Sequence, residues 1–329
     1  MPPSPRPTRR NVLLAALATT TAAVTGAGLV AQDVVPGRVG LWQLLGLNGP
    51  DGVIPDVTPG PVLHGAFTSA ARRGAEVTWT LAYPPGGGPG DGSGDGSGDG
   101  SRGGPGGGPG GGPGGARLPV CVVLHGHGDD DRAALRLGLD RFLADAVRRG
   151  VPPFVLAAPS GGDGYWHARS GGGDAGRMVV EEFLPLLTAR GLACGTRDRV
   201  ALLGWSMGGY GALLLAERLG AARVAGAGAM SPALWQHAAD AVSGAFDGAA
   251  DFAAHDVFAQ RGRLQGITVR LDCGRGDPFL DADQAFAAGL RPAAHGGFGR
   301  GGHTDGYWRR MAPGQLATLG TALAAVRPG

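Results

Sequence analysis

Apolar residues in this chain fall into short continuous runs separated by Gly-, Pro- and Asp-rich breaks. The runs at 118–124, 153–158, 200–205 and 224–230 have strand length and no polar alternation, as strands buried on both faces require, and 267–273 is the last clear strand. Segments 133–148, 178–192, the run after Ser206, and 307–326 carry apolar positions at helical spacing. Two earlier segments, 62–67 and 75–83, read differently. Glu76-Val77-Thr78-Trp79-Thr80-Leu81 alternates polar and apolar, the pattern of a half-buried antiparallel strand. Alternating strands and helices predict an α/β domain with a mostly parallel central sheet, helices on both faces and antiparallel strands at the N-terminal edge. Residues 231–264, Ala-rich and helical in pattern, predict a small cap between two long strands. In such sheets ligands sit beyond the carboxyl ends of the strands, so polar residues just after each strand are the candidates for chemistry.

The breaks divide the chain. Residues 86–115 hold 19 glycines in 30 positions, with Pro, Asp and Ser, and have nothing to bury. A flexible segment of that length spans about 30 Å, so it reads as an insertion between neighbouring strands of one domain, 61–329. Asp91, Asp95 and Asp99 lack the spacing and closing Glu of an EF-hand loop, which leaves a solvated linker. Residues 33–60 form a Gly- and Pro-punctuated extension. Within it Leu41-Trp42-Gln43-Leu44-Leu45 is an apolar patch that fits either the domain surface or a membrane surface. Ahead of it, Thr8-Arg9-Arg10-Asn11-Val12-Leu13-Leu14 resembles a twin-arginine motif, and no charge occurs from Asn11 to Gln32. Residues 1–32 therefore predict an exported or envelope-associated protein. The run is either cleaved after Ala27 or Ala31 or kept as a membrane attachment.

The net charge of +2 and the lack of a basic cluster exclude a nucleic-acid partner. Cys121, Cys194 and Cys273 permit at most one intramolecular disulfide, and Cys121 lies in a strand-like run where burial as a small apolar residue is expected.

Three strand ends carry chemistry. Gly204-Trp205-Ser206-Met207-Gly208 joins a strand to a helix and fits a nucleophile elbow, which lifts a serine above the sheet edge. In so glycine-rich a chain this pentapeptide is expected by chance about 0.4 times, so partners elsewhere must carry the argument. After the last clear strand comes Cys273-Gly274-Arg275-Gly276-Asp277, where Asp277 sits in the turn and competes with a plain capping role. Asp272 is still on the strand, and Asp281 and Asp283 begin a helix. Gly302-His303 follows, just before a helix. His295 lies in a loop without that helix start, and His64, His237 and His255 read as surface or cap residues. The order Ser206, Asp277, His303 is that of α/β-hydrolases. His125-Gly126-His127-Gly128-Asp129-Asp130, after the first strand beyond the insertion, fits an oxyanion loop whose His127 amide would act with that of Met207. The rival is a zinc site of metallo-β-lactamase type, which wants His at position 130 and leaves Ser206 idle.

These motifs, with Tyr307-Trp308-Arg309 after His303, resemble the α/β-hydrolase esterase family that includes esterase D (S-formylglutathione hydrolase), feruloyl esterases and the antigen 85 mycolyltransferases. The likeness runs from about Pro61 to Val326 without the insertion, which departs from the family pattern. It implies a Ser206–His303–Asp277 triad, an acyl-enzyme and a small-molecule or cell-envelope ester or thioester substrate, with no cofactor and no metal. Hydrolysis is the leading reading, acyl transfer to an alcohol its rival, and an inactive surface protein a third that the intact triad argues against. His125, Gly126, Trp166, Trp205 and Trp308, with Tyr165 and His167, are expected around the pocket, or else packed beneath it.

Overall fold

The computed structural model describes residues 38–88, 117–171 and 173–325. The export signal expected at 1–32 and most of the insertion expected at 86–115 lie outside them. Eight strands form one sheet: β1 Val62–Ser69, β2 Ala75–Ala82, β3 Val120–Leu124, β4 Val155–Pro159, β5 Val200–Trp205, β6 Val224–Met230, β7 Thr268–Gly274 and β8 His295–Gly299. Their order is β1-β2-β4-β3-β5-β6-β7-β8. The pairs β1/β2 and β2/β4 are antiparallel and the rest parallel. Strands β3 to β6 are buried along their whole length, as their unbroken apolar runs demand.

Helices cover both faces. On one, α1 (Leu139–Arg148) and α5 (Asp305–Ala324) pack Leu143, Phe142, Leu316 and Leu319 against Cys121, Val123 and Leu203 of the sheet. On the other, α2 (175–189, with a π-helical turn at Val179–Phe183), α3 (Met207–Leu219) and α4 (Leu280–Ala288) bury Phe183, Leu213 and Phe286 against Val122, Leu124 and Leu202. The helix expected over 133–148 is broken. Gly138 takes φ 82° between Ala133–Arg136 and α1, and a Cβ there would lie 2.7 Å from Ile54.

Strand β8 was not expected. His-Gly-Gly-Phe-Gly has little β-propensity, and only its pairing with β7 makes it a strand. His295 therefore begins a strand rather than lying in a loop. The cap at 231–264 is less regular than expected, with short helices only at Ala238–Asp240, Ala249–Ala254, Val257–Gln260 and Arg261–Leu264. All three cysteines are buried and free.

The chain leaves the described region at Gly88 and returns at Arg117. Ala82 pairs with Leu156 and Val120 with Val155, so both points sit at the amino-terminal ends of the parallel strands, opposite the edge that carries Ser206. Among the described residues no helix is long and apolar enough to cross a membrane.

Candidate active site

The turn after β5 is tight because the two flanking glycines leave no alternative. A Cβ at Gly204 would lie 2.1 Å from Gly208 O, and one at Gly208 would lie 1.9 Å from Leu124 O. The first turn of α3 thus abuts the end of β3 and brings loop 125–128 beside Ser206. Ser206 itself takes φ 54° and ψ −123°, a costly conformation for a residue with a Cβ. Its N–H donates to Met230 O at 3.0 Å, and its carbonyl accepts from the amides of Tyr210 and Ala233. Those backbone bonds hold the strained turn in place.

Asp277 lies three residues past β7, wholly buried. Its Oδ1 accepts the amide of Phe279 at 3.0 Å and closes the turn before α4, while Oδ2 lies 2.9 Å from His303 Nδ1. His303 stands between β8 and α5, whose first turn is capped by Thr304 Oγ1 accepting from the Tyr307 amide. The His303 Nε2 lies 2.9 Å from Ser206 Oγ. A carboxylate only accepts, so Nδ1 carries the proton and Nε2 turns its lone pair to the serine hydroxyl. The imidazole is 25% exposed and packs edge-on against Trp308, with ring centroids 5.1 Å apart. Three side chains that are distant in sequence are thereby joined in one chain of hydrogen bonds.

The segment after the N-terminal helix Arg38–Leu44 braces this edge, a role without a motif to announce it. Arg310 donates to Asn48 O and Pro50 O, Arg300 donates to Leu47 O, and Gly52 N–H to Gly306 O. Cβ atoms at Gly276 and Gly302 would lie 2.4 Å and 3.0 Å from the Asn48 side chain, so Asn48 wedges between the loops that hold Asp277 and His303. Trp42 of the apolar patch also approaches Gly276, whereas Leu44 and Leu45 face solvent.

Beside Ser206, the loop after β3 is fixed by Gly128 N–H donating to Asp163 Oδ1 at 2.7 Å. Among the described residues no backbone acceptor takes the amides of His127 or Met207. His125 is buried, accepts the Gly161 amide on Nε2 at 2.9 Å and turns Nδ1 to Gly126 O; desolvation pushes its pKa down and keeps it neutral. Its ring, the exposed His127 and the adjoining aspartates do not gather as metal ligands. Arg136 instead holds Asp129 and Asp130 at 2.9 and 2.7 Å.

Several pocket assignments need correction. Trp166 has no exposed surface, and its Nε1 donates to His125 O at 3.3 Å. Trp205 is 1% exposed, and its Nε1 donates to Asp129 Oδ2. Both lie beneath the loop that His125 and Gly126 begin, and support it, because their bulk is apolar and their donors find partners inside. Trp308 is nearly buried and acts as a backing for the His303 ring. A run of ring contacts joins the loop to the base, from His127 to Tyr165 (6.3 Å), Trp235 (5.7 Å), Phe279 (5.6 Å) and His303 (5.3 Å). Trp235 and Phe279 come from the cap and the Asp277 turn, with no local pattern to mark them. His64 on β1 bonds Thr80 of β2, and both His64 and His237 are exposed as expected. His255 is the C-cap of the helix Ala249–Ala254, one of the two expected placements, and is buried with Asp251 and His167 as its partners.

The Esterase family model matches residues 109–295, more than half of the chain. The chain belongs to the esterase family. The esterase is by that membership a carboxylic ester hydrolase, and the matched stretch contains Ser206 and Asp277 and ends before His303. No curated protein matches it in sequence. Solved structures share its fold. A ferulic acid esterase superposes with a TM-score of 0.62 at 17% identity, covering 80% of this chain and 100% of that one. An S-formylglutathione hydrolase of Agrobacterium tumefaciens gives 0.60 at 16% identity, covering 82% and 98%. A fluorophosphonate-binding serine hydrolase of Staphylococcus aureus gives 0.59 at 17%, covering 80% and 99%. At such identities the likeness establishes the α/β-hydrolase fold.

Proposed function

We propose that this esterase acts through Ser206 as nucleophile, His303 as general base and Asp277 as the orienting carboxylate. The observation that carries the reading is the pair of 2.9 Å contacts from His303, one to Ser206 Oγ and one to Asp277 Oδ2. His303 Nε2 takes the hydroxyl proton as Oγ attacks the ester carbonyl carbon. The resulting oxyanion is met by the His127 and Met207 amides, each worth about 2.7–4 kcal/mol of transition-state stabilisation. Asp277 holds the imidazole tautomer and stabilises the imidazolium. Collapse expels the alcohol or thiol, which takes the proton from His303. Water then repeats the cycle on the acyl-enzyme and releases the acid. The flanking aromatic rings favour a small-molecule ester with an apolar acyl or alcohol part.

We also propose export through residues 1–32, supported by Arg9-Arg10 and the uncharged run behind them. Intact mass of the mature protein reads this directly; an N-terminus at Met1 or Pro2 refutes cleavage.

The test of the catalytic reading is a fluorophosphonate probe with intact-mass analysis. Wild type should gain one adduct and Ser206→Ala none, with a loss of kcat of about 10⁶-fold on a simple aryl ester. An unlabelled, folded wild type overturns the assignment. Release of acylated alcohol in place of acid, when alcohols are supplied, would move the reading to acyl transfer.

A further inference from the structure

A second cluster of ionisable side chains joins the cap to the turn after β4, outside the Ser206–His303–Asp277 chain of bonds. His167 has no exposed surface, His255 is 8% exposed, and Asp251 lies between them. Asp251 Oδ1 is 2.8 Å from His255 Nδ1 and 3.9 Å from His167 Nδ1, and the two rings stack with centroids 4.2 Å apart. One donor atom from each residue lies within 4.8 Å of the other two.

The hydrogen-bond accounting at His167 does not close with protein atoms alone. Its Nε2 is 3.1 Å from Ala245 O, and its Nδ1 is 2.9 Å from Ala168 O. A neutral imidazole has one N–H, so one of these carbonyls faces a lone pair unless a cation stands between them. His255 Nδ1 lies beside two oxygens of Asp251, its carboxylate and, at 2.9 Å, its carbonyl. Protonating His167 would let both nitrogens donate, at the cost of an imidazolium with no exposed surface stacked on the His255 ring.

We propose that His167, Asp251 and His255 bind one divalent transition-metal ion, zinc by donor chemistry, as a structural clamp between cap and core. Two imidazoles and a carboxylate form a borderline donor set of the kind zinc takes. Ligand atoms about 2.1 Å from a tetrahedral zinc stand about 3.4 Å apart, and the observed 2.8 and 3.9 Å bracket that spacing. Outer contacts suit the role. Ala245 O accepts the Nε2–H of His167, which leaves the Nδ1 lone pair beside Ala168 O at 2.9 Å with Asp251 Oδ1 at 3.9 Å, while Asp251 Oδ2 is oriented by the Asp247 amide at 2.8 Å. The turn it would hold carries Tyr165 and Trp166 at φ 55° and 58°, a strained pair at the edge of the aromatic wall.

The experiment uses tag-free full-length protein stripped with chelator and titrated with Zn²⁺ alone, read by metal content, thermal melting and zinc X-ray absorption. Wild type should retain one equivalent after gel filtration. Its Tm should rise by about 5–10 °C at free zinc about 100 times Kd. The absorption spectrum should fit imidazole nitrogens at about 2.0–2.1 Å. Asp251→Asn and His255→Gln should lose both uptake and the Tm shift while still taking up the fluorophosphonate at Ser206. Uptake below a tenth of an equivalent by wild type overturns the proposal. So does equal uptake by Asp251→Asn, which marks adventitious surface binding, or a zinc spectrum without imidazole scattering. Fluorophosphonate labelling is independent of these readouts, so failure here is distinguishable from failure of the serine mechanism.

Discussion

Glu217→Gln should make this protein more stable, and increasingly so as pH rises. Glu217 lies on α3 with 1% of its surface exposed and both carboxylate oxygens without a hydrogen-bond partner. Desolvation, with the charge of Asp256 acting the same way, pushes its pKa from the ordinary 4.5 to about 9. Between those values the folded chain keeps a proton that the unfolded chain releases, so ionisation favours unfolding. Stability from this group is whole below about pH 4.5 and is lost as pH rises toward 9. At about 1.36 kcal/mol per unit, the loss by pH 7 is about 3 kcal/mol. Glutamine keeps the shape and cannot ionise, but it adds a buried donor that costs about 1 kcal/mol. The net gain is therefore about 2 kcal/mol at pH 7, and it should vanish or reverse near pH 5. Urea unfolding of both proteins at pH 5, 7 and 8.5 measures it. The offset from the extra donor does not alter the slope. A wild-type-to-variant difference that stays flat across that range would refute the reasoning, because Glu217 would then titrate alike in both states.

Asp277→Asn should leave the fold intact and lower kcat about 10⁴-fold, because the amide no longer demands the Nδ1–H tautomer of His303; an undiminished steady-state rate would remove Asp277 from the mechanism. Gly208→Ala drives a methyl into Leu124 O and shifts the elbow, so esterase activity should fall more than about 100-fold, read as kcat/KM on a soluble ester. Asp131→Ala should destabilise the domain by about 2–3 kcal/mol in urea unfolding. Asp131 accepts from Thr78 and Thr80 at 2.5 and 2.6 Å and ties β2 to the loop after β3.

What sequence reveals here follows how local the cause is. Strands β3 to β6 and their covering helices are legible because burial on both faces leaves uninterrupted apolar runs. Ser206 is legible because its turn needs glycine on both sides at fixed spacing. Strand β8 is invisible, since a neighbour's open edge rather than its own residues makes it a strand. The tryptophans mislead for a related reason. Composition marks Trp166 and Trp205 as aromatic near a site, but whether a ring faces outward or lies under a loop depends on donors such as the Trp166 indole finding His125 O. Asn48 acts through loops some 230 to 250 residues away, so its brace on Asp277 and His303 has no sequence signature.

The polypeptide exits after Gly88 and re-enters at Arg117 on the far rim from Ser206. Natural selection thus has a port where the length between two strands can drift while acyl chemistry proceeds undisturbed. The same port suits the engineer. A tether, reporter or surface anchor grafted between those residues would leave the substrate's approach clear.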